Sequence, residues 1–474
     1  MSTTDAGVGR VSAATWAALF RGKNAVFAVA LGGGVVLHAL NIYVATTVMP
    51  SAVAEIGGLD YYSWATTLFV LASILGAALS PNIMGRAGAR TAYFIAVVAF
   101  AVGTAVCGMA PNMSVLLAGR FVQGFGGGLL YALAYSAIRL VYPSQLWGRA
   151  IGLISAAWGV STLIGPAIGG LFAQNDAWRW AFGALVPFAA LFGLIAAMTL
   201  PGRGEGSVSR HPPIMQLALL AAATVALSLG SLGDQMIWSV ACVGGALLAA
   251  ILLLLIELQG RNTLLPRDTF SRQSRLGVLY ATGVLLVIGM QPEIYVPYLL
   301  QVLHGFSPLV AGYLAALMAI GWTSGSLVSG SWTGGAADRA VRAGPVFGVV
   351  GLALLAAFMP QPFDNSWWPV FCVAAGLVSV GFGIGMAWPH LVTRVFETAT
   401  VDQRDQATGG VTTVQLFATA LGSAGAGTLA KLAGVSNPGG ELGASSTAFW
   451  LFTCFAIVPL MGAALAAAAT CKQT

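Results

Sequence analysis

Apolar runs of about twenty residues, long enough to cross a bilayer, follow one another along almost the whole chain and decide its fold class. They lie near 25–48, 63–84, 91–109, 113–138, 150–173, 180–200, 214–232, 237–256, 276–300, 308–332, 344–360, 367–391, 407–432 and 447–469. Lipid offers no partner to an exposed backbone, so only helices or a closed barrel can span it, and the alternating pattern of a barrel is absent. The expected fold is all-α: a polytopic membrane protein of fourteen spans. Composition agrees, with 58% of residues hydrophobic and 8% charged, against roughly a quarter charged in soluble proteins.

Basic residues set the orientation. With the N-terminus in the cytoplasm, 18 of the 21 Lys and Arg fall in the tail or inner loops; Arg179 and Lys431 fall outside, and Arg120 lies within a span. That bias predicts cytoplasmic termini and an even helix number. It does not separate fourteen spans from twelve plus a re-entrant hairpin at 214–256, but both stretches there are of spanning length, which favours fourteen. The net charge of +6 is therefore a topology signal, and nucleic acid is not an expected partner. Membrane lipids and a small-molecule substrate are, with the chain a monomer in the plasma (inner) membrane of a bacterium. The first 24 residues hold Arg10, Arg21 and Lys23 but no signal-peptide core with a cleavage site, so the first apolar run is expected to remain as a span. Cys107, Cys242, Cys372, Cys454 and Cys471 lack metal-ligand spacing; no metal and no disulfide framework are expected.

Breakers divide the chain. Pro201 to Pro213 is a polar Gly/Pro-rich segment, and a second linker runs from Arg261 to Arg275. The plan is a cytoplasmic tail (1–24), a six-helix bundle (25–200), a linker region with two additional helices (201–275), a second six-helix bundle (276–470) and a short tail (471–474). The two bundles look like copies. Asn41-Ile42-Tyr43-Val44 recurs as Glu293-Ile294-Tyr295-Val296. The inner loops Gly85-Arg86-Ala87-Gly88-Ala89-Arg90 and Asp338-Arg339-Ala340-Val341-Arg342 follow at matched spacing. Two parallel repeats with a site between them at mid-membrane is a transporter architecture.

Within the spans, charge is scarce and informative. Arg120 is the sole charged residue between Arg90 and Arg139, and a charge at such depth faces a cavity or a partner. Gln123 lies one turn on, giving an apolar helix a polar face.

The run Arg120-Phe121-Val122-Gln123-Gly124-Phe125-Gly126-Gly127-Gly128 resembles the fourth-helix RxxQGxG motif of the major facilitator superfamily. Gly159-Val160-Ser161-Thr162-Leu163-Ile164-Gly165-Pro166-Ala167-Ile168-Gly169-Gly170 resembles the fifth-helix GxxxGPxxGG motif of its drug:proton antiporters. Trp178-Arg179-Trp180 and Tyr295-Val296-Pro297-Tyr298-Leu299-Leu300-Gln301 are similar to further family positions, and the resemblance, to the fourteen-span subfamily, covers essentially the whole chain. It implies proton-coupled efflux of hydrophobic or amphipathic small molecules, cations among them, by alternating access, with protons as coupling ion and no cofactor. In the antiporter motif Gly159, Gly165, Pro166, Gly169 and Gly170 would let the fifth helix bend and slide against the second bundle; a static kink is the plainer alternative. Close helix packing alone would also account for the fourth-helix glycines.

Two family acids are absent. Where the first helix of the family reads L-D-x-T-I-V-N-V-A-L-P, this chain has Leu40-Asn41-Ile42-Tyr43-Val44-Ala45-Thr46-Thr47-Val48-Met49-Pro50, and the loop of form D-R-x-G-R-R begins at Gly85. Among the 15 acidic residues Glu293 alone falls well within a span. At 1.5 Å per residue it lies about 16 Å from the nearer end, while Asn41 and Arg120 lie about 14 Å deep. Burial favours a protonated carboxyl and a nearby guanidinium the ionised one, so Glu293 is expected to carry the proton with Arg120 as its partner. The alternative is that Glu293 only bonds backbone near Pro292. Asn41, His38, Tyr43, Gln123, Gln291 and Tyr295 are candidate cavity residues, His38 equally a structural hydrogen-bonder. Arg86, Arg90, Asp338 and Arg339 are candidate inner-gate residues, Asp338 providing the latch.

No P-loop with Lys and Ser/Thr is present, so ATP is not the direct energy source. A membrane enzyme would need paired carboxylates, clustered histidines or an activated nucleophile, and none is seen. A channel suits the duplication less well, while an uncoupled or differently coupled exporter of a specific lipid or metabolite is the main alternative.

Overall fold

The computed structural model describes residues 16–143, 146–202, 213–233, 235–259, 263–271, 275–363, 367–399 and 404–470. Most of both expected tails, most of the Pro201–Pro213 linker and parts of the Arg261–Arg275 linker lie outside the described residues. Every regular element among those described is helical, as the backbone argument requires. After a short turn, α1 (Trp16–Leu19), come α2 (Lys23–Ile56), α3 (Trp64–Ala87), α4 (Ala89–Gly108), α5 (Met113–Val141), α6 (Trp147–Gln174), α7 (Trp178–Gly183) and α8 (Leu185–Thr199). Then follow α9 (Ile214–Leu229), α10 (Met236–Leu258), α11 (Leu276–Met290), α12 (Val296–His304), α13 (Pro308–Ser329), α14 (Gly335–Phe358), α15 (Trp367–Thr398), α16 (Arg404–Leu432) and α17 (Gly440–Thr470).

Among the described residues, twelve segments are long and apolar enough to cross a membrane, against the fourteen expected. The two others are α9, with 16 residues, and α16, whose Thr, Ser, Gly and Gln residues dilute its apolar content. The chain is an integral, multi-pass membrane protein.

Helices α2 to α8 pack into a first group, in which α5 lies against α3, α4 and α2, and α6 against α2. Helices α11 to α17 form a second group, with α15 against α13 and α14, and α17 against α14 and α11. The groups meet where α13 lies against α6 and α2, and α16 against α3. α9 and α10 pair with each other, and α9 also touches α16 and α3.

Glycines make the close crossings possible, and they repeat. A side chain at Gly124 would run into the Phe69 backbone, one at Gly128 into Ser73 (both α3), and one at Gly126 into Phe100 of α4. In the second group a side chain at Gly381 would meet Met318, one at Gly385 Trp322 (both α13), and one at Gly383 Gly344 of α14. Ser73 Oγ donates to the Gly124 carbonyl at 3.0 Å and Ser326 Oγ to the Gly385 carbonyl at 3.0 Å. The same three-helix packing is thus built twice, from Gly-Phe-Gly-Gly-Gly (124–128) and Gly-Phe-Gly-Ile-Gly (381–385).

One span is broken. Between α11 and α12 the chain tightens into a 3₁₀ segment, Gln291–Tyr295, because Pro292 and Pro297 lack N–H donors. The Gln291 backbone N–H turns to the Ile288 carbonyl, and its side-chain Nε2 bonds the Val287 carbonyl at 2.9 Å. Glu293 therefore sits in irregular backbone rather than in the uninterrupted helix expected for 276–300.

Candidate functional site

Arg120 is 1% exposed and is bonded entirely within the first group. Its Nε donates to the Ala65 carbonyl (3.0 Å), its Nη1 to Gln123 Oε1 (2.7 Å), and its guanidinium lies 4.2 Å from the centroid of the Phe69 ring. Gln123 Nε2 passes the chain on to Thr104 Oγ1 at 2.8 Å, whose hydroxyl donates to the Phe100 carbonyl. Gln123 is the partner that the one-turn spacing suggests; Ala65, Phe69 and Thr104 carry no sequence signal. A buried guanidinium held by a carbonyl, an amide oxygen and an aromatic face needs no carboxylate.

Glu293 is half-buried, and its carboxyl has no hydrogen-bond or ion-pair partner among the described residues. No bond or electrostatic interaction joins it to Arg120, so that expected pairing is not formed. Its electrostatic neighbour is instead the hydroxyl of Tyr43, from α2 of the other group, which also interacts with Thr162 of α6. Tyr43 is half-buried and lies where Gly165 of the antiporter-like run leaves room, since a Cβ there would overlap the Tyr43 side chain. Gln291 is buried and accepts from Ser423 Oγ of α16 at 3.3 Å. Tyr295 stacks on Tyr62 across the groups, centroids 4.9 Å apart.

His38 and Asn41 share one face of α2, three residues apart. Both are buried, and among the described residues none of their side-chain nitrogens or oxygens has a hydrogen-bond partner. The imidazole stacks on Phe69 and Tyr131 at 5.3 and 5.4 Å and meets the edge of Trp158 at 6.0 Å. Arg120 is within its electrostatic reach. The aromatic walls around His38 are invisible to sequence reasoning, because they come from α3, α5 and α6.

The antiporter-like run faces two ways. Gly165 and Gly169 lie against Tyr43, Val44 and Thr47 of α2, whereas Gly170 lies against Leu309 and Pro166 against Gly312, both of α13. Gly159 faces open space. Pro166 stands inside an unbroken α6, and Tyr313 of α13 donates to the Leu163 carbonyl at 3.3 Å. Gly165 and Gly169 therefore pack within the first group, and Pro166 and Gly170 form the seam.

At the end of the bundle bearing Asp60, Lys431 Nζ of α16 meets Asp60 Oδ1 at 3.0 Å across the groups. On the same end Arg179 pairs with Glu55, which also accepts from Trp178 Nε1 at 2.6 Å. These are the two basic residues assigned outside the inner loops, and each has found an acid; their unusual position was the available signal. At the opposite end, Asp338 pairs with Arg394, within the second group. Arg90 bonds the Leu200 carbonyl at 3.0 Å, and Arg86 and Arg339 hold no ion pair among the described residues. Asp338 thus makes an ion pair, but inside one group rather than between groups. Among the described residues no cluster of His, Cys, Asp and Glu could hold a metal.

A twice-built helical membrane protein, with Tyr62 and Tyr295 stacked and Lys431 and Asp60 paired where the two copies meet, has the design of a transporter. The Major Facilitator Superfamily model matches residues 31–423. A probable multidrug-efflux transporter of Mycobacterium tuberculosis (strain H37Rv) is 35% identical over 437 residues, 90% of this chain and 91% of the relative. Multidrug resistance protein 3 of Bacillus subtilis is 25% identical, covering 74% and 70%. Among solved structures, a POT family transporter superposes with a TM-score of 0.67 at 14% identity, covering 94% of this chain and 96% of that one. A D-xylose-proton symporter gives 0.63 at 16%, covering 93% and 97%. The chain belongs to the Major Facilitator Superfamily, and is a transporter rather than an enzyme.

Proposed function

We propose that this protein exports hydrophobic and amphipathic small molecules, cations among them, in exchange for protons, by alternating access. The observation carrying the proton-coupling part is Glu293: a half-buried carboxyl in a broken span, without a hydrogen-bond or ion-pair partner among the described residues, and with Tyr43 of the other group as electrostatic neighbour. A carboxyl so placed can gain or lose a proton without first breaking an ion pair. Drug export is supported by the mycobacterial and Bacillus relatives, a probable multidrug-efflux transporter and a multidrug resistance protein.

Protons serve as coupling ion, no cofactor takes part, and a single chain in lipid is the working unit. The protein resides in the plasma (inner) membrane of a bacterium. Fourteen spans with cytoplasmic termini fit the packing. Arg90 bonds Leu200 at the basic end, while Ser231 bonds Asp60 at the other, so the chain crosses between them through α9. α16 likewise runs from Ala407, held by Tyr280, to Lys431 at Asp60. Two six-helix bundles, 25–200 and 276–470, would rock about the α6–α13 and α3–α16 seams. The cross-group ion pair and the Tyr62–Tyr295 stack lie at the Asp60 end, which supports a form closed at that end. His38, Asn41, Tyr43, Gln291 and Tyr295 contribute to the substrate path, and Arg120 with Gln123 fixes the α3–α5 framework around it.

The test is proton flux in proteoliposomes. Substrate added to the wild-type protein should dissipate an imposed pH gradient, and Glu293→Gln should reduce this to the level of empty liposomes. Undiminished pH-gradient-driven transport by Glu293→Gln would overturn the assignment. Substrate transport that never moves protons, in wild type as in the variant, would leave an uncoupled exporter.

A further inference from the structure

The two-helix insert has no counterpart in either group, and its tip is held by both. Toward the second group, the Leu227 carbonyl accepts from Thr428 Oγ1 of α16 at 2.7 Å. The Leu227 side chain lies over Gly425, and Gly230 lies against Thr428. Toward the first group, Ser231 Oγ accepts from Trp64 Nε1 at the start of α3, at 3.0 Å. The same hydroxyl lies 3.3 Å from the Asp60 carbonyl and 2.8 Å from that of Ser228. Ser228, Ser231, Trp64 and Thr428 are all buried, so water does not replace these bonds while the end stays shut. Asp60 is thereby engaged twice: its backbone by the insert and its carboxylate by Lys431 of α16.

We propose that the α9–α10 hairpin is a strap that holds the Asp60 end closed, with the Trp64–Ser231 bond as its releasable catch. This rests on the alternating-access reading given above. When the groups part at this end, α3 and α16 separate, and the hairpin tip cannot keep both sets of bonds. It stays with α16, where α9 lies along the helix and Leu227 and Gly230 are both seated. The link to α3 is narrower, centred on one indole N–H and one hydroxyl, and it is the one that breaks. The insert then sets how readily the transporter opens outward, without touching substrate.

The experiment measures distance rather than transport. Spin labels at the exposed positions Gln174 and Glu441, in a cysteine-depleted background, report the separation of the groups at the Asp60 end in lipid nanodiscs at acid and alkaline pH. Ser231→Ala should raise the ratio of open to closed populations about five-fold, the worth of one neutral hydrogen bond. Trp64→Phe should shift it in the same direction and by no more, since it leaves the longer Ser231–Asp60 contact. The double variant should shift it no further than Ser231→Ala alone, which already removes the shared bond. Ser239→Ala is the control: it removes a bond of 3.0 Å to the Gly230 carbonyl inside the hairpin and should leave the ratio at the wild-type value. Wild-type ratios in Ser231→Ala and Trp64→Phe, or an equal shift in Ser239→Ala, would overturn the strap while alternating access stands. A single, unchanging distance in every variant and condition would remove both.

Discussion

Gln123→Leu tests whether Arg120 is a framework residue satisfied by its own group. Gln123 is fully buried, and its amide oxygen takes the Nη1 hydrogen bond at 2.7 Å. A hydrogen bond to a charged group is worth about 1.5–3 kcal/mol, and leaving the guanidinium one partner short in a buried site adds to the loss. The single variant should therefore cost about 2–4 kcal/mol. Arg120→Leu leaves Gln123 Oε1 facing only the weak Cys107 thiol at 3.9 Å, a cost of about 1–3 kcal/mol. The double variant removes both ends of the bond. Thr104 still donates to Phe100, and two leucines fill similar space, so it should cost about 2 kcal/mol less than the sum of the singles. Equilibrium unfolding in mixed micelles under increasing SDS measures all four corners of the cycle. Costs that add to within about 0.5 kcal/mol would refute the reasoning and return Arg120 to the search for a distant carboxylate.

Other substitutions probe the seam and the aromatic slot. Gly312→Val should overlap Thr47 and press on Pro166, slowing transport while substrate binding persists; unchanged turnover in proteoliposomes would show that this contact is not part of the moving surface. His38→Phe keeps the stack with Phe69 and Tyr131 but removes two buried nitrogens that lack partners, so thermal stability should hold or rise. A fall of more than about 2 kcal/mol would mean those nitrogens are bonded in the membrane. Asp338→Asn loses the ion pair to Arg394 and should shift the balance of inward and outward forms, read by spin-label distances at the basic end; an unmoved distribution would count against a latch there.

What the sequence left open was direction around each helix. Spacing from helix ends put Asn41, Arg120 and Glu293 at similar depth, but it could not say that Arg120 points at α3, where Ala65 and Phe69 wait for it. The glycine runs foretold close packing, and Gly165 and Gly170 do fill tight contacts; which helix each would meet needed coordinates. The hydropathy of α16 is low because a helix packed on α3, α9 and α11 tolerates Thr, Ser and Gln, with Ser423 and Thr428 bonded to neighbouring segments. The second Gly-Phe-Gly-x-Gly run at 381–385 was readable as a copy of 124–128, yet the copy lacks the charge. Leu377 and Val380 stand where Arg120 and Gln123 stand in the first.

That asymmetry suggests how the copies divide the work. The first group carries the cation, and every bond it makes is to its own helices, so nothing in Arg120's surroundings requires it to change as the groups rock. The second group carries the acid, and its carboxyl, set where prolines interrupt the span, has no bond to lose among the described residues. Its electrostatic neighbour, Tyr43, belongs to the opposite group and is seated by the antiporter-like run through Gly165. On the exchange reading, a proton on Glu293 would alter an interaction across the seam, not one inside a bundle. On the exchange reading, this is what coupling requires: the group that titrates must feel the position of the other half, and the group that stays charged must not. Exchanging the two roles, with a paired Glu293 and an unpartnered Arg120, would leave protonation without a mechanical consequence.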